Sequence, residues 1–81
     1  GIRKETRQTM KNIEGGLTAL GSSMDKVFKC TCMLSDISEW GQMSEEYIKF
    51  FKDGKRPSRS AFAGTGLALG AKVEIECWAI K

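Results

Sequence analysis

Histidine is absent from this sequence of 81 residues, and proline occurs once. Without histidine the chain lacks the side chain that most often moves protons near neutral pH, and a Cys-His nucleophilic pair is excluded within it. Three cysteines, Cys30, Cys32 and Cys77, fall short of the four Cys/His ligands of a structural zinc site, so no metal is expected. No apolar run approaches the ~20 residues of a membrane-crossing helix, and no signal-peptide pattern is present. These absences lead us to expect a cytoplasmic chain with no membrane partner. Its cysteines then read as small buried apolar residues in a reducing compartment. Cys30 and Cys32, spaced C-x-C in an expected strand, point to one face.

What is present suits one small domain. Apolar residues make up 41% and charged residues 28%, as in a folded globular chain. A core this small leaves association between copies as a route to stability. The net charge is +3, but the basic residues are scattered. Only Lys52 to Arg59 is locally rich in them. A solvated loop explains that run better than a nucleic-acid footprint.

The first element is a helix over Arg3 to Leu20. Thr6, Met10, Ile13, Leu17 and Leu20 recur at steps of three and four and make one apolar stripe. Gly15-Gly16 inside it costs about 1 kcal/mol per glycine, which suggests close packing of the helix on a sheet. Gly21 is the expected C-terminal stop. Val27 to Leu34 then alternates as a strand. Phe28, Cys30, Cys32 and Leu34 form one face; Val27, Lys29, Thr31 and Met33 form the other. Apolar residues on both faces imply a helix on one side and a partly covered second side suited to a subunit interface.

Asp36 and Glu39 form a capping-box-like pair at the start of a second helix reaching about Phe51. Ile37, Trp40, Met43, Tyr47, Phe50 and Phe51 make its apolar face. At helical spacing that stripe reads as core. Asp53-Gly54-Lys55 breaks the helix. Pro57 fixes its own φ and pushes Arg56 towards an extended conformation. A strand from Arg59 to about Gly64 follows. The glycines of Thr65 to Gly70 lack the Gly-Lys-Ser/Thr ending of a phosphate loop and precede a strand rather than a helix. Lys72 to Ile80 is the last strand.

The order helix–strand–helix–strand–strand gives an α+β fold, two helices on one face of a small mixed sheet. At least one sheet edge stays open unless another segment or a partner covers it. Arg59, entering a strand after a rigid turn, is a poor core residue and a good carboxylate clamp. Glu74 and Glu76 alternate along the last strand. Our reading is that Arg59 and Glu74 face a shared cleft.

Several motifs, in order along the chain, resemble the YjgF/Rid family of enamine/imine deaminases, also called the L-PSP endoribonuclease family. They are Arg7-Gln8-Thr9 with Asn12-Ile13, Leu20 to Val27, Tyr47 with Phe50-Phe51, Arg56-Pro57-Ser58-Arg59-Ser60, and Val73-Glu74-Ile75-Glu76-Cys77 with Ala79. The resemblance implies a chorismate-mutase-like layer, a single domain over residues 1–81 that lacks the family's N-terminal strands, and a homotrimer with ligand sites between subunits. It also implies roles. Arg59 matches the arginine that binds the substrate carboxylate. Ala61 stands where many members have cysteine and offers its backbone N–H as a second donor. Glu74 matches the glutamate that positions the attacking water, with Glu76 ranked second. Ser44 stands where many members carry asparagine.

The implied reaction is hydrolysis of 2-enamino or 2-imino acids, such as 2-aminoacrylate, to 2-keto acids and ammonia. It needs no cofactor, since imines hydrolyse readily once positioned beside one general base. Two alternatives remain beside the deaminase. One is an RNA-binding protein, ribonuclease or translation inhibitor, supported only by the Lys52 to Arg59 run. The other is a non-catalytic ligand-binding trimer.

Overall fold

The computed structural model describes residues 1–80. Its elements are α1 (Ile2–Ala19), β1 (Val27–Leu34), α2 (Trp40–Tyr47), β2 (Ser58–Ala63) and β3 (Val73–Ala79). Short 3-10 turns precede β1 and flank α2. Among the described residues the strands form one sheet in the order β2-β1-β3. β1 runs parallel to β2 and antiparallel to β3. This is the expected α+β layer, with both helices packed on one face.

α1 buries Ile2, Thr6 and Met10, with Ile13 and Leu17 packed at the margin of the core. Leu20, the last residue of the expected stripe, is exposed. The helix ends as its glycine dictates. Gly21 takes a φ of 79°, and the Ser22 and Gly21 N–H groups return to the Leu17 and Thr18 carbonyls at 2.8 and 3.1 Å. Gly15 and Gly16 depart from expectation. Both are exposed, and a Cβ added at either meets nothing within 4 Å. Close helix–sheet packing does not account for them.

β1 supplies the centre of the core through Val27, Cys30, Cys32 and Leu34. A register irregularity between Val27 and Lys29 breaks the simple alternation. The extra residue turns Val27 inward and Phe28 outward, reversing the sides expected for these two. Phe28 then meets Trp78 of β3 edge-on, with ring centroids 6.4 Å apart.

The three cysteines also differ from the reading as plain apolar filler. Cys30 and Cys77 are directly opposed in the β1–β3 ladder, 4.2 Å apart at Cα, and are joined as a disulfide. Cys32 is free and buried, and burial pushes its thiol up to about 11.

Asp36 caps the chain's entry into α2, accepting from Ser38 N–H at 2.9 Å and Ser38 Oγ at 2.8 Å. These bonds hold its carboxyl below the usual range, the hydroxyl contributing most. The pair expected with Glu39 does not form. Glu39 lies 4.0 Å from Lys72 instead. The two helices are tied by Glu46 of α2, whose side chain is 3% exposed. Arg3 and Arg7 of α1 donate to it at 2.9 and 3.0 Å, and Lys49 adds a third contact at 3.2 Å. Arg7 first, then Arg3, holds the Glu46 carboxyl down to about 2.

The face of the sheet away from the helices is uncovered among the described residues. Phe28, Phe62 and Trp78 stand on it at 50, 51 and 52% exposure. The outer edges of β2 and β3 likewise carry no strand among those residues.

Candidate functional site

Trp40, Ser44 and Tyr47 fall at i, i+4 and i+7 of α2, so they line one stripe of the helix. That stripe faces β2. Arg59 pairs with Cys30 in the parallel β1–β2 register, and Cys30 is fully buried against the helices. Arg59 therefore extends from the helix-covered face of the sheet. Its guanidinium carbon sits 5.1 Å from the Trp40 ring and 4.9 Å from the Tyr47 ring. Nη1 donates to Ser44 Oγ at 2.9 Å.

The stacking rings hold a planar cation without neutralising it. Among the described residues no carboxylate pairs with Arg59. A half-buried guanidinium with one neutral partner keeps most of its donors for an external anion.

Part of the expected aromatic core thus belongs to the site. Met43, Tyr47 and Phe51 are buried, but Ile37 and Trp40 are exposed. The sequence reading gave Ser44 no role, yet its hydroxyl is the hydrogen-bond partner of Arg59. A hydroxyl flanked by aromatics at helical spacing was the available signal. The Tyr47 phenol is buried with no hydrogen-bond partner among the described residues, and burial pushes it up to about 12.

Ala61 lies two residues along β2, half-buried and paired with Cys32. Just past the strand, the Gly64 N–H donates inward to the Leu34 carbonyl at 3.4 Å. Alternation along a strand then directs the Ala61 N–H to the open outer edge, on the side away from β1. A donor is available there, two residues along the strand from Arg59.

Glu74 is elsewhere. It pairs with Met33, one step out of phase with the buried Cys32 and Leu34, and so extends from the uncovered face. β1 lies between its strand and that of Arg59. Within one chain the two residues are on opposite faces of the sheet, two strand spacings apart sideways and three residues apart along the strands, or roughly 14 Å between backbones. A single copy therefore does not bring Arg59 and Glu74 to one cleft. Glu74 accepts no side-chain hydrogen bond among the described residues, whereas Glu76 accepts one from the Trp78 indole at 3.2 Å. Among the described residues no three acidic, cysteine or histidine side chains gather as metal ligands, and no helix is long and apolar enough to cross a membrane.

Residues 1–81 match the family described as endoribonuclease L-PSP. The chain belongs to that family. This L-PSP chain is 35% identical to the rat 2-iminobutanoate/2-iminopropanoate deaminase over 81 residues, which is 100% of this chain and 58% of the rat protein. It is 37% identical over 76 residues to the chloroplastic Reactive Intermediate Deaminase A of Arabidopsis thaliana, 94% of this chain and 40% of that one. Among solved structures, a Rid-family protein of Yersinia pestis superposes with a TM-score of 0.93 at 38% identity, over 98% of this chain and 63% of its own. The grouping indicated by the motifs and the fold indicated by the element order are both confirmed. The chain spans less than two thirds of the length of each of these relatives.

Proposed function

We infer that the protein takes part in hydrolytic deamination of 2-enamino or 2-imino acids, releasing a 2-keto acid and ammonia. The observation that carries this is Arg59, a half-buried guanidinium clamped by Trp40, Tyr47 and Ser44 and left without an acidic partner among the described residues. Such a group recognises a small carboxylate. The relatives named as imine deaminases support the same class of reaction.

Arg59 binds the substrate carboxylate with two parallel hydrogen bonds, and the Ala61 N–H supplies another donor. The C=N carbon is thereby fixed beside Glu74. Glu74 orients a water and takes its proton as the oxygen attacks that carbon. The nitrogen is protonated and leaves as ammonia when the tetrahedral adduct collapses. The barrier is low enough that orientation and one general base suffice. Glu74 is the better base than Glu76, because the Trp78 indole already occupies Glu76.

Because Arg59 and Glu74 lie on opposite faces of one sheet, the reaction requires residues from two copies. The uncovered face with Phe28, Phe62 and Trp78 provides the contact surface. A homotrimer with sites between subunits meets both needs. The deciding assay follows ammonia release from 2-aminoacrylate generated in situ. Release above the uncatalysed rate, abolished by Arg59→Ala, is the expected result. Ammonia release by Arg59→Ala equal to that of the unaltered chain overturns the assignment.

A further inference from the structure

Cys30 and Cys77 take no part in the chemistry above, yet they face each other across two strands. They are 47 positions apart in sequence, and their Cα atoms stand 4.2 Å apart in the ladder. The pairing is selective. Cys32, two residues from Cys30 on the same buried face, is opposite Ile75 and remains a thiol. Cys30 is fully buried, whereas Cys77 is half-buried and sits on β3, an edge strand among the described residues. One end of the crosslink is therefore within reach of solvent and the other is not.

We propose that Cys30 and Cys77 form a reversible thiol–disulfide site, closed by a hydroperoxide and opened by a small dithiol attacking at Cys77. In closing, the Cys77 thiolate attacks the peroxide oxygen, the O–O bond breaks, and an alcohol or water leaves. The resulting sulfenic acid is attacked by the Cys30 sulfur, and water departs as the S–S bond forms. The two thiols are oxidised and one hydroperoxide is reduced. In opening, one thiolate of the dithiol attacks the Cys77 sulfur, and Cys30 leaves and takes a proton. The reagent's second thiol then attacks its own sulfur in the mixed disulfide, releasing Cys77 and departing as a cyclic disulfide.

Cys32 cannot replace Cys30 in this cycle. Its register position holds it away from Cys77, and burial keeps it protonated at neutral pH. The closed form ties β3, which carries Glu74, covalently to the central strand. A crosslink closing so long a loop raises stability by constraining the unfolded chain. For a domain of this size the expected difference is roughly 10–30 °C in Tm.

The test uses the full chain treated with hydrogen peroxide or with dithiothreitol, without denaturant. Each sample is then unfolded, alkylated and mapped by mass spectrometry. The expected oxidised product has lost two hydrogens, with Cys30 and Cys77 linked and Cys32 alkylated. Dithiothreitol returns all three to alkylatable thiols and lowers Tm by roughly 10–30 °C. Cys77→Val removes this response and Cys32→Ala keeps it. A Cys30–Cys32 link, alkylation of all three residues after peroxide, or equal Tm in both states overturns the proposal. So does a link that dithiothreitol opens only in denaturant. Because no step involves an imine, these outcomes are independent of the deaminase assignment.

Discussion

Arg59 and Ser44 are joined by a 2.9 Å hydrogen bond between β2 and α2. The bond aims a planar cation that also lies over the Trp40 and Tyr47 rings. Lysine keeps the charge but loses the fork and the stacking. Arg59→Lys is expected to lower kcat/KM on 2-aminoacrylate by about 10²-fold with little change in Tm. Ser44→Ala, which only frees the guanidinium to swing, is expected to raise KM more than it lowers kcat. Steady-state kinetics on the purified variants checks both.

Glu74 and Glu76 share a face, and one hydrogen bond separates their roles. Removing a general base costs about 10²–10⁴ in rate. Glu74→Gln is expected to lose that much, and Glu76→Gln to stay within about threefold of the unaltered chain, since it is no proton acceptor in this mechanism. The reverse order transfers the role to Glu76.

If Arg59 and Glu74 of one site come from different copies, two inactive chains restore each other. Co-refolding equal amounts of Arg59→Ala and Glu74→Gln chains places intact residues together at about a quarter of the sites in a cyclic trimer. Activity of about that fraction is expected in the mixture, and no more than about 1% in either variant alone. Phe62→Asp, which charges the uncovered face, is expected to shift the sedimentation of the protein towards monomer.

Glu46 links stability to acidity. Its carboxyl titrates near 2 in the folded chain, below its ordinary value of 4.5, because Arg7 and Arg3 favour the charged form. The stabilisation is complete above the ordinary value and drains away as pH falls from there towards 2. A pH series of thermal melts is expected to show a steep loss over that interval in the unaltered chain. Glu46→Gln is expected to have a lower Tm at neutral pH and a flatter profile in acid.

Gly15 and Gly16 occupy exposed helical positions with open space around them. Alanine at either is expected to stabilise the chain by about 0.5–1 kcal/mol, measured by denaturant unfolding.

The local features were readable without coordinates. The helical stripe through Thr6 and Met10, the glycine stop at 21 and the alternation of β1 from Cys30 to Leu34 each depend on neighbours a few residues away. Other features depend on how distant segments register. The Glu46 network joins residues about forty positions apart, and no local pattern announces it. The Cys30–Cys77 pairing depends on the β1–β3 register. The separation of Arg59 from Glu74 follows from strand order, because β1 lies between them, and neither motif encodes that order. Ser44 was visible as a hydroxyl among aromatics, but its use became clear only when β2 brought an arginine beside it.

The irregularity at the head of β1 has a consequence for any change of length there. It allows a single strand to feed the interior at Val27 and present an aromatic outward at the next position, then resume its rhythm. Shortening the chain by that one residue would rephase the segment, sending either Val27 into water or the Phe28 ring into a space already filled. Insertions and deletions around residue 28 should therefore be tolerated far less than substitutions, even though the ring itself is half in solvent.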